Sequence, residues 1–250
     1  MQVRGISLEL EGFTLVGQAY VPEQYPAPAL CLCHGIPRGI PDPGDRGYAI
    51  LAERFCRGGF LTLIFNFRGT GASGGNFDIL GWTRDLERIL EHLAGMPEVE
   101  HRRISVMGFS AGAAVSVHVA SRDPRVSCLI ICACPSQFHF ATDTSRGASA
   151  VNHFRQLGII PDQDFPQSLE PWLNGFNQVN PIEHIAMISP RPLLILHGSQ
   201  DETVDPQDAW TLYDKACQPK EIHIVTDAGH RLRLSDEAMN IAFKWLKAHV

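Results

Sequence analysis

Two kinds of apolar spacing divide the chain. Residues 3–10 and 13–21 alternate apolar and polar positions, the period of a half-exposed strand, and Glu11-Gly12 between them is a turn signal. An antiparallel hairpin is the expectation. Beyond Pro22 the alternation gives way to short continuous apolar runs at 29–33, 60–65, 104–108, 126–133, 192–196 and 221–225, with helical patterns between them. Strands that are apolar on both faces and alternate with helices predict a mostly parallel sheet covered on both sides.

The helices declare themselves by stripe and punctuation. Tyr48, Leu51, Ala52 and Phe55 form a stripe that stops at Gly58-Gly59; Trp82, Leu86, Ile89, Leu90 and Leu93 form another that stops at Gly95 and Pro97. Asp205-Pro206-Gln207-Asp208 reads as N-cap, first-turn proline and first-turn acid before Ala209, Trp210, Leu212 and Tyr213. Ser235-Asp236-Glu237 starts a last helix carrying Ala238, Ile241, Ala242, Trp245 and Leu246. From 135 to 190 no strand pattern appears, while Phe138, Phe140, Phe154, Phe165, Trp172 and Phe176 fall among broken helical patterns. So long a stretch is not bare loop in a compact domain. The expectation is one α/β domain over 1–250 with a small helical cap inserted at 135–190.

Composition narrows the function. The 250 residues are 44% hydrophobic and 19% charged, with a formal net charge of −6 and no basic stripe, which argues against nucleic acid and anionic membrane as partners. No run has the length of a membrane span, and the N-terminus alternates where a signal peptide would be apolar. The seven cysteines include Cys31/Cys33 and Cys132/Cys134, C-x-C pairs within strand patterns whose members alternation puts on one strand face. They read as reduced core thiols of a cytosolic (cytoplasmic) protein rather than zinc ligands, and no metal is expected.

Two glycine-rich motifs compete for the chemistry. Gly69, Gly71 and Gly74 make a literal G-x-G-x-x-G after an apolar run. A dinucleotide site would open its helix at once and place an acid at the end of the next strand. Here the helical pattern waits until about Asp78, and the next strand ends in Gly108-Phe109-Ser110, so the motif reads as a tight turn. Gly108-Phe109-Ser110-Ala111-Gly112 matches G-x-S-x-G, with an apolar strand running in and a small-residue helix, 111–120, running out. That context holds a serine hydroxyl exposed on a strained turn.

A serine hydroxyl needs a base, and the base an orienting acid. His230 follows the last strand in Asp227-Ala228-Gly229-His230; among the acids, Asp201, Glu202, Asp205 and Asp227 compete. Asp205 is better explained as an N-cap, and Asp227, three residues from His230, as part of its turn; Asp201 is the preferred acid. Loops after strand C-termini meet at one sheet edge, so Ser110, Asp201 and His230 can converge. His34 and His197, before glycines at strand ends, read as structural.

The chain resembles an α/β-hydrolase. The residues that carry the likeness are the elbow at Ser110, Cys33-His34-Gly35-Ile36-Pro37, Arg68-Gly69-Thr70-Gly71-Ala72-Ser73, His197-Gly198 with Asp201, and Gly229-His230, which span nearly the whole chain. It is similar to small esterases, dienelactone-hydrolase-like proteins and prolyl-oligopeptidase-type catalytic domains. The resemblance implies an eight-stranded sheet and an oxyanion hole from the N–H groups of Ile36 and Ala111. It also implies that the 69–75 turn packs beside the His34-Gly35 loop as scaffold. Serine stands where dienelactone hydrolases have cysteine, so their lactone substrate is not carried over, and no large N-terminal propeller accompanies the domain, which weakens a strict oligopeptidase reading. The expected function is cleavage of a small carboxylic ester without a cofactor. A peptidase or thioesterase with the same groups is the alternative, and a non-catalytic binding protein is the reading from another class. Arg38, Phe138, Phe140, Trp172 and Phe176 are candidates to touch substrate, with a solvated arginine and a plain cap core as the plainer readings. The edge strand and the last helix with Trp245 are compatible with a homodimer.

Overall fold

A computed structural model describes residues 1–37, 39, 47–139 and 144–250, without the side chains of Arg102 and Thr144. Its centre is one eight-stranded sheet in the order β1-β2-β4-β3-β5-β6-β7-β8. The hairpin is β1 (Gln2–Leu10) and β2 (Phe13–Val21), paired from Gln2↔Val21 to Leu10↔Phe13 across a turn in which Glu11 (φ 49°) and Gly12 (φ 85°) are left-handed. β3 (Ala27–Cys33), β4 (Leu61–Phe65), β5 (Val99–Phe109), β6 (Val126–Cys132), β7 (Leu193–Gly198) and β8 (Lys220–Val225) run parallel, and β2 alone runs against its neighbours.

The two faces of these strands feed two cores. Cys31, Cys33, Leu61, Leu63, Val106, Leu129, Ile131, Leu193 and Ile195 point to one side, where α2 (Ile79–Gly95), α3 (Ala111–Ala120) and α7 (Gln207–Lys215) cover them. Leu30, Leu32, Met107, Cys128, Ile130, Cys132, Leu194 and Leu196 point to the other, under α1 (Tyr48–Arg57) and α8 (Asp236–His249). The central strands are continuously apolar because neither face meets water. α3 lies deepest: all ten of its residues are buried. Six cysteines are buried and Cys217 is exposed, all as free thiols. The C-x-C expectation needs one correction. Cys31 and Cys33 share a face, but Cys132 and Cys134 lie in opposite cores, because Ala133 takes a left-handed φ of 49° and ends the alternation.

Helix starts follow their side chains. The Asp78 carboxylate accepts from the N–H groups of Leu80 and Gly81, and the Ser235 hydroxyl from Ala238. Between β6 and β7 the chain forms α4 (Thr144–Gln156), α5 (Leu169–Gln178), α6 (Pro181–His184) and a 3₁₀ turn, Ile185–Ile188. Among the described residues, no helix is long and apolar enough to cross a membrane.

The 69–75 turn is anchored by a buried ion pair absent from any local pattern. The Arg68 guanidinium donates from Nε and Nη2 to Oδ1 of Asp85, at 2.9 and 2.8 Å, and the Arg68 N–H donates to Oδ2 at 2.8 Å. Asp85 is fully buried on α2, and Arg68 reaches on to Glu11 of the hairpin turn at 2.8 Å. Removing one partner strands a charge in the core, whereas a half-exposed partner is screened by water. Asp85→Ala is therefore expected to cost about 3–5 kcal/mol and Glu11→Ala less than about 1 kcal/mol, read from urea unfolding midpoints.

Candidate active site

β5 enters Ser110 as a strand and α3 leaves it as a helix, with a single residue to make the change. Ser110 carries the cost: φ 53° and ψ −125° are unfavourable for any side chain, by about 1–3 kcal/mol. Its backbone is held from both directions. Its N–H donates to Cys132 O at 2.9 Å, and its own carbonyl accepts from Ala113 and Ala114 at 2.9 and 3.2 Å. The flanking glycines are required by contact. A Cβ on Gly108 would sit 2.5 Å from the Ala113 Cα, and one on Gly112 would overlap the His34 carbonyl. Gly35, across the gap, would bring a Cβ to 2.8 Å from that of Ser110. The His34-Gly35 loop and the elbow are thus pressed together with no room for side chains.

The loops after β7 and β8 bring the other two groups. Gly198 ends β7 where a Cβ would collide with the Ala228 carbonyl, so this position admits only glycine without displacement. Beyond it the loops are zipped: Ser199 N–H to Val225 O, Gln200 N–H to Ala228 O, and Gln200 Nε2 to the Asp227 carboxylate, each at 2.9 Å. Asp227, with φ 57°, shapes this turn, and Asp205 accepts from the Gln207 N–H at the start of α7, as both were expected to do. Asp201 and His230 are left side by side. His230 Nδ1 lies 2.8 and 3.0 Å from the two oxygens of Asp201, and its Nε2 lies 3.1 Å from Ser110 Oγ. Since an ionised carboxylate only accepts, Nδ1 bears the proton and Nε2 is the acceptor for the serine O–H.

Asp201 has its side chain fully buried. Burial alone pushes its carboxyl up. Hydrogen bonds from His197, from His230 and from the N–H groups of Val204 and Thr203 outweigh that and hold it well below the usual carboxylate range. The ionised form is what a neighbouring imidazolium needs.

Ala111 follows the elbow serine and Ile36 follows Gly35, which faces it, and among the described residues neither N–H donates to an acceptor. Behind Ile36, the buried His34 ring ties the loop to the glycine turn. Nδ1 donates to Gly35 O at 2.7 Å, Nε2 accepts from the Phe67 N–H at 3.2 Å, and the Thr70 hydroxyl lies 3.2 Å away. Burial lowers the His34 pKa, in keeping with a neutral ring that accepts at Nε2. The 69–75 turn is scaffold: Gly69, Gly71 and Gly75 are left-handed, and the Gly69 N–H closes the turn on Gly74 O at 2.9 Å. A groove of about 640 Å³ borders the same loop, lined by His34, Tyr48, Ile6, Val16, Ile64 and Asn66 among others.

The remaining candidates fare differently. Arg38 and Phe140 lie outside the described residues. Phe138, Trp172 and Phe176 are buried as members of one hydrophobic core. Trp172 and Phe138 meet Phe176 edge-on at ring distances of 5.0 and 5.3 Å, and all three belong to a cluster with Phe77 and Phe154. The Trp172 indole N–H donates to Phe77 O at 3.2 Å. These rings fasten the 135–190 segment to α2 and its preceding loop. Among the described residues, no group of three or more His, Cys, Asp or Glu is placed to hold a metal ion. What the residue patterns missed is the role of His197, whose ring is buried against Asp201; its only signal was an imidazole interrupting an apolar strand.

Known proteins agree with this architecture. A model of the prolyl oligopeptidase family matches residues 50–250. Among curated relatives, an uncharacterised protein of Mycobacterium tuberculosis is 27% identical over 91% of this chain and 72% of its own length. The polyketide transferase ATR5 of Stachybotrys chlorohalonatus is 24% identical over 91% and 89%. Among solved structures, the α/β hydrolase GrgF from Penicillium superposes with a TM-score of 0.78 over 100% of this chain and 99% of its own at 21% identity, and an esterase of Pyrococcus furiosus with 0.73 over 99% and 91% at 22%. With the doubly covered sheet, the elbow at its centre and a family match over most of its length, the chain has the α/β-hydrolase fold and belongs to the prolyl oligopeptidase family.

Proposed function

We propose that the protein is a serine hydrolase that cleaves a small carboxylic ester through Ser110, His230 and Asp201. The observation that carries this reading is the unbroken hydrogen-bond chain from Ser110 Oγ through both ring nitrogens of His230 to a buried, ionised Asp201. In this reading Ser110 Oγ attacks the ester carbonyl carbon as His230 Nε2 takes its proton. The carbonyl π electrons move onto oxygen, and the Ile36 and Ala111 N–H groups receive the charge, each worth about 2.7–4 kcal/mol in the transition state. The tetrahedral intermediate collapses, the C–O bond to the alcohol breaks, and His230 returns the proton to the departing alkoxide. Water, deprotonated by the same nitrogen, then attacks the acyl-serine and releases acid and free Ser110. Asp201 holds the tautomer and stabilises the imidazolium without itself being protonated.

Ester rather than peptide is favoured by the esterase among the solved neighbours. The family match favours the alternative, a peptidase using the same groups. A panel of p-nitrophenyl esters of graded chain length, run beside aminoacyl-naphthylamides, separates the two; faster turnover of the amides would overturn the ester reading.

Ser110→Ala is expected to abolish labelling by a fluorophosphonate probe and to lower ester kcat by about 10⁴-fold or more. Undiminished labelling would refute the nucleophile. Asp201→Asn should lower kcat by about 10³–10⁴-fold with little change in KM, since an amide permits the wrong imidazole tautomer. The same variant tests the charge state. Asp201 is depressed in the folded protein, so its contribution to stability is complete above the unfolded value of about 3.9 and fades as pH falls below it. The stability gap between wild type and Asp201→Asn should be constant above about pH 5 and narrow below about pH 4; a gap that widens with acid would contradict the ionised assignment.

A further inference from the structure

β7 is an apolar strand with one interruption. Leu193, Leu194, Ile195 and Leu196 are followed by His197, which is fully buried. Its Nε2 donates to Val204 O at 3.1 Å and stands 3.1 Å from Oδ2 of Asp201. Both are acceptors, so Nε2 carries the proton, and Nδ1 is buried with no hydrogen-bond partner. A leucine here would continue the apolar strand without burying a nitrogen that lacks a partner, so apolar packing alone does not account for an imidazole. Its contacts do. Asp201 Oδ1 is held by the N–H groups of Thr203 and Val204, at 2.8 and 3.0 Å, and Oδ2 faces the Nδ1 of His230 at 2.8 Å. His197 is the second group on Oδ2, and by binding Val204 O it also braces the residue whose N–H grips Oδ1.

We infer that His197 is a positioning residue: its Nε2, which donates to Val204 O and stands 3.1 Å from Oδ2, fixes the plane of the Asp201 carboxylate, and through it the orientation of the His230 ring toward Ser110. The inference rests on the reading of these three residues as the working groups. It makes the acid a part of β7 as much as of the loop that follows, because a rigid strand end is coupled to the carboxylate through an imidazole that cannot turn without losing both acceptors. His197 touches no substrate and neither gives nor takes a proton during turnover.

Side-chain geometry supplies the test. A glutamine amide nitrogen reaches roughly where the histidine Nε2 stands, an asparagine falls short, and a leucine offers no donor. His197→Gln is expected to keep kcat within about threefold of wild type. His197→Asn and His197→Leu are expected to lose about 10–100-fold in kcat with KM within about twofold, the pattern of a misaligned base. His197→Leu should melt lower than wild type, since the Val204 carbonyl and the buried Asp201 carboxylate lose the N–H beside them. Proton NMR gives a readout independent of turnover: the downfield Nδ1–H signal of His230, assigned by its loss in His230→Gln, should persist in His197→Gln and shift or vanish in the other two. If His197→Leu does not fold, the Gln and Asn pair still decides. Equal impairment of Gln and Asn, or an unchanged signal with wild-type kcat in Asn and Leu, overturns the inference. If wild-type Ser110 takes no fluorophosphonate, the ester reading falls, while the NMR signal still decides the place of His197.

Discussion

The chain must pass from strand to helix at Ser110 within one residue, at a left-handed φ that a side chain tolerates badly. Every close approach nearby follows from that reversal. Gly108 lets the last strand residues meet the helix, Gly112 lets the helix meet the His34 carbonyl, and Gly35 lets the facing loop meet the serine itself. A fully buried helix, short of large residues at its start, then becomes a packing necessity. The strain persists because the parallel strands on both sides and the helix behind over-determine it.

Around this point the loops at the strand ends are held by polar groups taken out of water. His34 spans from its own loop to the Phe67 amide; Arg68 reaches Asp85 on α2; His197 and His230 share Asp201. Polar groups buried this deeply are costly unless paired, and nearly all of these are paired. They give the rim one arrangement where flexible loops would sample many. A base and an oxyanion site act well only when their dipoles are in place before the reaction begins.

Several residues illustrate what local pattern could and could not say. The hairpin, the apolar strands and the helix stripes follow from periodicity, since strand and helix impose different spacings on whatever must be buried. Ser110 was legible because G-x-S-x-G sits between a strand and a small-residue helix. Cys134 was misplaced because alternation holds only while φ stays extended, and Ala133 leaves that region. Asp85 gave no sign of its partner: on a helical stripe it is one acid among several, and the guanidinium that claims it comes from 17 residues away. The aromatic residues of 135–190 are legible as something to be buried, but the ring they would meet was not.

The amino-acid order by itself determined the secondary elements, the parallel core and the elbow, because these depend on neighbours a few residues apart and on the hydrophobicity of each face. Tertiary structure decided which acid stands beside His230, where the aromatic rings of the inserted segment settle, and that a histidine in β7 braces the carboxylate. Those outcomes depend on angles and distances between segments remote in sequence, and a linear pattern carries the identity of such groups without carrying the separation between them.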